Sequence, residues 1–182
     1  PSLGEPVRVL GDEAELVVWS PDYDGNGKAL VRFPDGREAI VGGSRVERAG
    51  LEGGAHFIEH LLFKGTKKRT AAALAKEIDA IGGHLDAFTS REYTAFYLNL
   101  LVDHLERGME ILADILLHST FPAPEVERER KVILEEIRSA EDNPEDCAYE
   151  LLVQGLWGGS PLGRPILGSP ASVGKVPRAR LL

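Results

Sequence analysis

The sequence predicts an α+β protein, with an antiparallel sheet packed against helices. Short β-like runs separated by turns fill residues 1–48, and helical patterns surround one pair of alternating strands after residue 53. Strands and helices do not alternate as repeated βαβ units, which argues against a parallel, doubly wound sheet. At 182 residues the chain is long enough to bury one full hydrophobic core.

The first predicted unit is a β-rich segment, residues 1–48. Turn signals at 24–27 and 34–36 separate its β-like runs, which are Val7–Leu10, Leu16–Trp19, Ala29–Phe33 and Glu38–Val41. They could form a small separate module or a meander that leads into the main sheet. The run Asp22–Gly27 resembles the first half of a calcium-binding loop. Its twelfth position is Phe33 rather than glutamate, so a tight turn is predicted instead.

The second predicted unit, residues 49–182, begins with a helix pattern and a strand pair. Thr70–Ile81 has helical periodicity and is followed by Gly82 and Gly83, which are typical residues after a helix end. Leu85–Thr89 and Tyr93–Leu100 alternate in polarity like two antiparallel strands.

Three more helices are predicted downstream. Asp103 is expected to cap a helix whose apolar stripe is Leu105, Met109, Leu112 and Leu116. A strongly charged helix follows Pro122 and Pro124. Asn143, followed by Pro144, starts another helix that runs to about Leu156.

The most informative motif is His56-x-x-Glu59-His60, the inverted form of the His-Glu-x-x-His zinc-peptidase motif. Positions i, i+3 and i+4 of a helix share one face, so the three side chains would point to one place. Two imidazoles can hold one Zn²⁺, and the carboxylate between them can reach a metal-bound water. The motif therefore predicts a catalytic zinc site.

A third protein ligand, often a carboxylate, is expected at such a site. Glu129 and Glu136 lie two turns apart, within or beside the apolar stripe of the charged helix, which is Val126, Val132, Ile133, Ile137 and Ala140. A carboxylate that faces inward is costly unless it is paired or bound to metal. Spacing alone leaves open whether Glu136 is the ligand or the helix is simply solvated, with ion pairs such as Glu127–Lys131.

From about Gly43 to Ser172 the sequence resembles the M16 family of metallopeptidases, the inverzincins that include pitrilysin, insulin-degrading enzyme and the mitochondrial processing peptidases. The similar runs are 43–47, 54–66, 81–94, 127–136 and 161–168, and they look most like the bacterial processing-peptidase-like branch. The resemblance implies that His56, His60 and Glu136 bind zinc and that Glu59 is the general base. It also implies that Glu129 is a carboxylate behind the ligands that helps to hold the site.

The same resemblance implies an incomplete half-domain. Residues 1–40 are unlike the family's first strand pair. The chain stops at Leu182, where relatives add a last helix and strand, so truncation at the C-terminus is expected. Relatives build their chamber from two halves, and a second M16-like half or subunit is therefore the expected partner.

The function implied by the resemblance is a zinc-dependent endopeptidase that hydrolyses extended or unfolded peptides, with Glu59 activating a zinc-bound water. In relatives the strand equivalent to Leu85-Asp86-Ala87-Phe88 lies at the sheet edge, where a peptide substrate could add as another strand. The alternative is a non-catalytic M16-like subunit or peptide-binding domain that needs a partner half. Such a relative would typically have lost a ligand or the base, and this chain keeps them all.

Composition narrows the remaining classes. A net charge of −8 argues against a nucleic-acid partner, and no apolar run approaches membrane-spanning length, so neither is expected and the cytoplasm is the expected compartment. The basic cluster at Lys64, Lys67, Lys68 and Arg69 is interpreted as a short exposed loop. The single Cys147 lies in an acidic segment that disfavours a thiolate nucleophile. The other histidines, His84, His104 and His118, are expected to be structural or exposed.

Overall fold

The computed structural model describes residues 51–181 in full and, before them, the backbone of three strands. The strands are Val17–Ser20 (β1), Lys28–Val31 (β2), Glu38–Ser44 (β3), His84–Thr89 (β4) and Tyr93–Asn99 (β5). They form one sheet in the order β1-β2-β3-β5-β4, and every neighbouring pair is antiparallel. β3 pairs with β5 along its whole length, so the strands before residue 45 continue the sheet that β4 and β5 begin.

Two of the predictions for residues 1–48 stay predictions. The β-like run Val7–Leu10 and the turn at Asp22–Gly27 lie outside the described residues. The division of the chain at residues 48 and 49 likewise stays a prediction.

The described residues form six α-helices. They are Gly54–Leu62 (α1), Ala71–Ala80 (α2), Leu105–His118 (α3), Ala123–Glu141 (α4), Pro144–Trp157 (α5) and Pro170–Lys175 (α6). Helices packed on an antiparallel sheet confirm the predicted α+β class. None of the helices in the described part of the chain is long and apolar enough to cross a bilayer.

The predicted helix ends are confirmed in two places and wrong in one. The Thr70 hydroxyl accepts the N–H of Ala73 at the start of α2, and the Asn143 side chain accepts the N–H of Glu145 at the start of α5. Asp103 does not cap α3. It lies inside a short 3₁₀ turn, Val102–His104, and α3 begins only after this tighter turn.

The core lies between one face of the sheet and the helices. Its fully buried side chains include Phe57 and Leu61 from α1, Leu98 from β5, Ile111 and Ile115 from α3, and Ile133 from α4. The predicted stripes need two corrections. In α3 the deepest positions are Ile111, Leu112 and Ile115, with Leu105, Met109 and Leu116 only partly buried against them. In α4 Val132 is 40% exposed, and the buried line runs through Val126, Glu129, Ile133 and Ile137.

The basic cluster after α1 is not simply an exposed loop, because Arg69 is only 8% exposed. Its guanidinium forms ion pairs of 2.7 Å with Asp114, 2.9 Å with Glu110 and 3.0 Å with Glu77, and Thr66 donates to the same Asp114 carboxylate at 2.7 Å. Burial alone would raise the pKa of Asp114, but the contacts from Thr66 and Arg69 hold it below its usual value. A buried charge requires such partners, and these fix the loop after α1 against α2 and α3.

Candidate metal centre

Helix α1 presents two histidines on one face because its opposite face is buried. Phe57 and Leu61 are completely buried, whereas the side chains of His56 and His60 are 12% and 18% exposed. The helix begins after Gly53, which has φ 85°. Gly53 lies so close to the backbone before α6 that a Cβ would be 2.4 Å from the Leu167 carbonyl oxygen. Glycine is therefore required at this position to seat the start of α1 against the loop before α6.

Helix α4 brings two carboxylates to the histidines. Its residues Val126, Ile133 and Ile137 are buried, and this packing turns the positions beside them towards α1. Glu129 lies within the buried line and is 5% exposed. Glu136 lies at the border of that line, with its side chain 39% exposed.

Three ligand atoms of these helices converge on one point. The Nε2 atoms of His56 and His60 are 3.3 Å apart, and Oε2 of Glu136 lies 3.8 Å and 3.6 Å from them. A tetrahedral zinc ion with bonds of about 2.0–2.2 Å holds its ligand atoms roughly 3.3–3.6 Å from one another. The His56–His60 and His60–Glu136 separations lie in this range and the 3.8 Å His56–Glu136 separation lies just above it, so the three side chains are placed to hold one zinc ion.

The hydrogen bonding of Glu136 also fits a metal. Its Oε2 is buried and has no hydrogen-bond partner within residues 51–181, although much of the side chain reaches solvent. A buried carboxylate oxygen without a donor is costly, and a bound cation would satisfy it. In the described part of the chain these three residues are the only group of histidine, cysteine or carboxylate side chains close enough to share an ion.

Glu129 orients His60 rather than joining the convergent set. Its Oε2 lies 3.1 Å from His60 Nδ1, and its Oε1 lies 2.8 Å from the Lys64 ammonium. An ionised carboxylate can only accept, so this contact favours a hydrogen on Nδ1. In that tautomer the lone pair available for a metal is on Nε2, the atom that faces His56 and Glu136. Burial alone would raise the pKa of Glu129, but Lys64 and His60 hold it below its usual value.

Glu59, the third residue of the motif, lies half-buried beside the sheet. Its Oε2 accepts a short hydrogen bond from the hydroxyl of Thr89, the last residue of β4. Burial raises the pKa of Glu59 above its usual value, against this hydrogen bond, which lowers it. A carboxylate with a raised pKa beside histidines is well suited to take up a proton.

The predicted substrate segment, Leu85, Asp86, Ala87 and Phe88, lies in the terminal strand of the described sheet. Leu85 and Ala87 pack against the core, while Asp86 and the 44% exposed Phe88 face outwards. The Asp86 carboxylate accepts the Tyr97 hydroxyl at 2.6 Å. This bond and the N–H of Ala87 hold the pKa of Asp86 below its usual value.

Three contacts at the site were not predicted from the sequence. Thr89 contacts Glu59, Lys64 contacts Glu129, and Arg91 fixes the turn after β4 to α5 and to the loop that follows α5. Lys64 stands four positions after His60, which is a signal that it shares that side of the chain. No local pattern identifies the other two contacts, because they depend on how the hairpin packs.

The chain is similar in sequence to a known family of proteins. The sequence pattern of the insulinase family, Peptidase family M16, matches residues 39–170. An uncharacterized zinc protease of Mycobacterium leprae (strain TN) is 44% identical over 154 residues, which are 82% of this chain and 35% of that protein. The chain thus spans about a third of the length of the curated relatives it matches, 35% and 32% in the first two.

Two solved structures show the same fold at low identity. A protease from Helicobacter pylori aligns with a TM-score of 0.76 at 22% identity, over 92% of this chain and 42% of that one. A structure described as the inactive domain of a Pseudomonas fluorescens M16 peptidase aligns with a TM-score of 0.74 at 19% identity, over 91% of this chain and 42% of that one. By its sequence pattern, with the fold in agreement, the chain belongs to the insulinase family of zinc peptidases, M16.

Proposed function

We propose that this chain provides the zinc-binding half of an endopeptidase that hydrolyses extended or unfolded peptides. The convergence of His56, His60 and Glu136 within 3.3–3.8 Å of one another carries the proposal. The Glu59 carboxylate, which α1 supplies together with the two histidines, adds the general base that a zinc hydrolase needs besides its metal.

Each residue has one role in the proposed reaction. A zinc ion held by His56, His60 and Glu136 would polarise the scissile carbonyl and acidify the attacking water. Glu59 accepts a proton from that water and passes it to the departing amine nitrogen, so that water and a peptide bond become a carboxylic acid and an amine. Glu129 keeps the His60 ring in the orientation and protonation state that metal binding requires.

Replacement of Glu129 by glutamine is expected to weaken zinc binding without abolishing it. The amide can still contact His60 but loses the charge that supports the ring, and losses of this kind are typically about 10–100-fold in metal affinity. Competition with a chelator measures the affinity. The matched control is Glu135→Gln in the same helix, because Glu135 is 71% exposed and its affinity should match the unmodified protein. Equal affinity of Glu129→Gln and Glu135→Gln would contradict the proposed role.

The edge of β4 is the proposed docking site for substrate. The N–H of Ser90 donates to the carbonyl oxygen of Tyr93 across the hairpin at 2.7 Å. The N–H of Ala87 does not donate across the hairpin but to the side-chain carboxylate of Asp86, at 2.8 Å. Since the backbone groups of an antiparallel strand alternate in direction, the amides of residues 85, 87 and 89 point away from β5. An extended peptide could pair with these groups as a further strand, and the ionised Asp86 would favour basic side chains.

Hydrogen exchange tests this docking mode. In Glu59→Gln protein, which should bind peptide without cleaving it, we expect slower exchange at the amides of residues 85, 87 and 89 when peptide is added. Amides of β5 that already pair with β3 serve as the internal reference. Asp86→Asn keeps an acceptor for Ala87 and should weaken binding of basic peptides only. Protection confined to other segments would rule out β4 as the docking strand.

A second family-like half is the proposed partner. The proposed zinc site uses α1 and α4 alone, yet the matched relatives are more than twice as long as this chain. The additional length would supply the other wall of a substrate chamber. The proposed active unit is therefore this chain together with a second half.

Cleavage of an internally quenched, unstructured peptide tests the function. The zinc-loaded chain is assayed alone and together with the remaining portion of the protein or a candidate second half. Turnover that disappears with a chelator and returns with zinc is the expected result. Peptide binding without turnover in every combination would instead favour the non-catalytic alternative.

A further inference from the structure

The Thr89 hydroxyl joins the proposed base to the sheet. It donates to Glu59 Oε2 and lies 3.1 Å from the Thr94 hydroxyl, its direct cross-strand partner in the register of β4 and β5. All three side chains are partly buried. The result is a short chain of contacts, Glu59–Thr89–Thr94, that runs from the metal centre into the hairpin.

Thr89 is a rigid contact for a flexible side chain. A glutamate has three rotatable side-chain bonds, and fixing them costs conformational entropy. A threonine is β-branched and stiff about its first side-chain torsion, so its hydroxyl position follows from the strand. The contact therefore restricts the rotation of the Glu59 side chain, and ordering the Thr89 hydroxyl costs little further conformational entropy.

The hairpin that carries Thr89 is held independently of Glu59. Two residues further on, Arg91 donates to the carbonyl of Arg164 at 2.8 Å and to that of Leu162 at 3.2 Å, and forms a 2.6 Å ion pair with Glu150. These partners lie in α5 and in the loop that follows it. The position of Thr89 is thus set by the fold and not by the carboxylate that it contacts.

We propose that Thr89 is a positioning residue that holds the Glu59 carboxylate in the orientation from which it takes a proton from water. The inference rests on the proposed peptidase function and extends it to a residue outside the zinc motif. The contact occupies Oε2 and leaves the other carboxylate oxygen for the water.

The Thr89 contact can persist through the proton transfer. A threonine hydroxyl has one hydrogen, and because Thr89 donates its hydrogen to Glu59, the Thr94 hydroxyl is the donor to Thr89. Glu59 receives the proton from water on its other oxygen, so Oε2 still accepts the hydrogen bond from Thr89. The contact also stays in place when the proton leaves for the amine nitrogen, and the side chain does not need to move.

The test compares Thr89→Val, which keeps the shape and removes the hydroxyl, with Thr89→Ser, which keeps the hydroxyl. It uses the zinc-loaded chain in its active combination with the second half. Because Thr89→Val loses a hydrogen bond to a charged group, we expect its kcat to fall by roughly 10–100-fold. KM and zinc content should stay unchanged. Thr89→Ser should retain most of the kcat. Thr94→Val is the matched control in the same hairpin, and it should lose less than Thr89→Val because Thr94 does not contact Glu59.

Three results would overturn the proposal. These are an unchanged kcat in Thr89→Val, an equal loss in Thr89→Ser, and a loss of kcat accompanied by loss of zinc, which would indicate a general structural role.

A second readout separates this inference from the function on which it rests. The infrared carboxylate band of Glu59 is identified as the band that disappears in Glu59→Gln. It should shift in Thr89→Val and stay in place in Thr89→Ser. Absence of turnover in the unmodified protein would refute the peptidase function itself. An unshifted band in Thr89→Val would refute the positioning contact whether or not the protein is active.

Discussion

Replacement of Glu59 by glutamine is expected to lower the rate of peptide hydrolysis by roughly 10²–10⁴-fold, the usual contribution of a positioned general base. Glutamine has the same size and can still accept the Thr89 hydrogen bond, so the local geometry should persist. What it cannot do is take a proton from the attacking water. Because Glu59 is not one of the three convergent ligands, zinc content should remain that of the unmodified protein.

The measurement is kcat for an internally quenched peptide, with zinc determined on the same sample. Glu135→Gln makes the same chemical change on an exposed part of α4 and should leave both values unaltered. Activity of Glu59→Gln equal to that of the active, unmodified protein would show that another group serves as base. Loss of zinc in Glu59→Gln would show that Glu59 helps to bind the metal.

Replacement of His60 by alanine is expected to remove most of the zinc. His60 contributes one of three ligand atoms and is the residue that Glu129 supports. Four-ligand structural sites gain roughly 10–16 kcal/mol from zinc, so an equal share for one ligand corresponds to a loss on the order of 10²–10³-fold in affinity. This loss should exceed that of Glu129→Gln, which acts only through the ring.

Zinc retained after dialysis against a weak chelator measures the effect. His84→Ala is the control, because His84 lies on the exposed side at the start of β4 and outside the convergent group. The unmodified protein and the control should retain about one equivalent, as expected for a single site. A stoichiometry that His60→Ala leaves unchanged would place the metal elsewhere.

The sequence predicted those features of the fold and of the candidate site that depend on residues close together in the chain. The motif His56, Glu59 and His60 needs only a helix to bring its groups to one face, and α1 is that helix. The cap Asn143 likewise acts within a few residues of its own position. Asp103 shows the limit of such reasoning, since a 3₁₀ turn replaced the first turn of the predicted helix.

Contacts between distant segments could not be predicted from the sequence. Thr89 and Glu59 are 30 positions apart, and His60 and Glu129 are 69 positions apart. Their meeting depends on how α4 and the hairpin pack around α1. Arg69 shows the same limit. The cluster of basic residues suggested an exposed loop, but Arg69 is buried and pairs with carboxylates from α2 and α3.

A crystal structure of the zinc-loaded protein, with an anomalous difference map at the zinc edge, addresses the proposed site most directly. We expect one strong peak about 2.0–2.2 Å from Nε2 of His56, Nε2 of His60 and an oxygen of Glu136. The peak should persist in Glu59→Gln crystals and disappear in His60→Ala crystals. A peak bound by other residues, or no peak in protein that retains zinc in solution, would contradict the assignment of His56, His60 and Glu136 as the metal ligands.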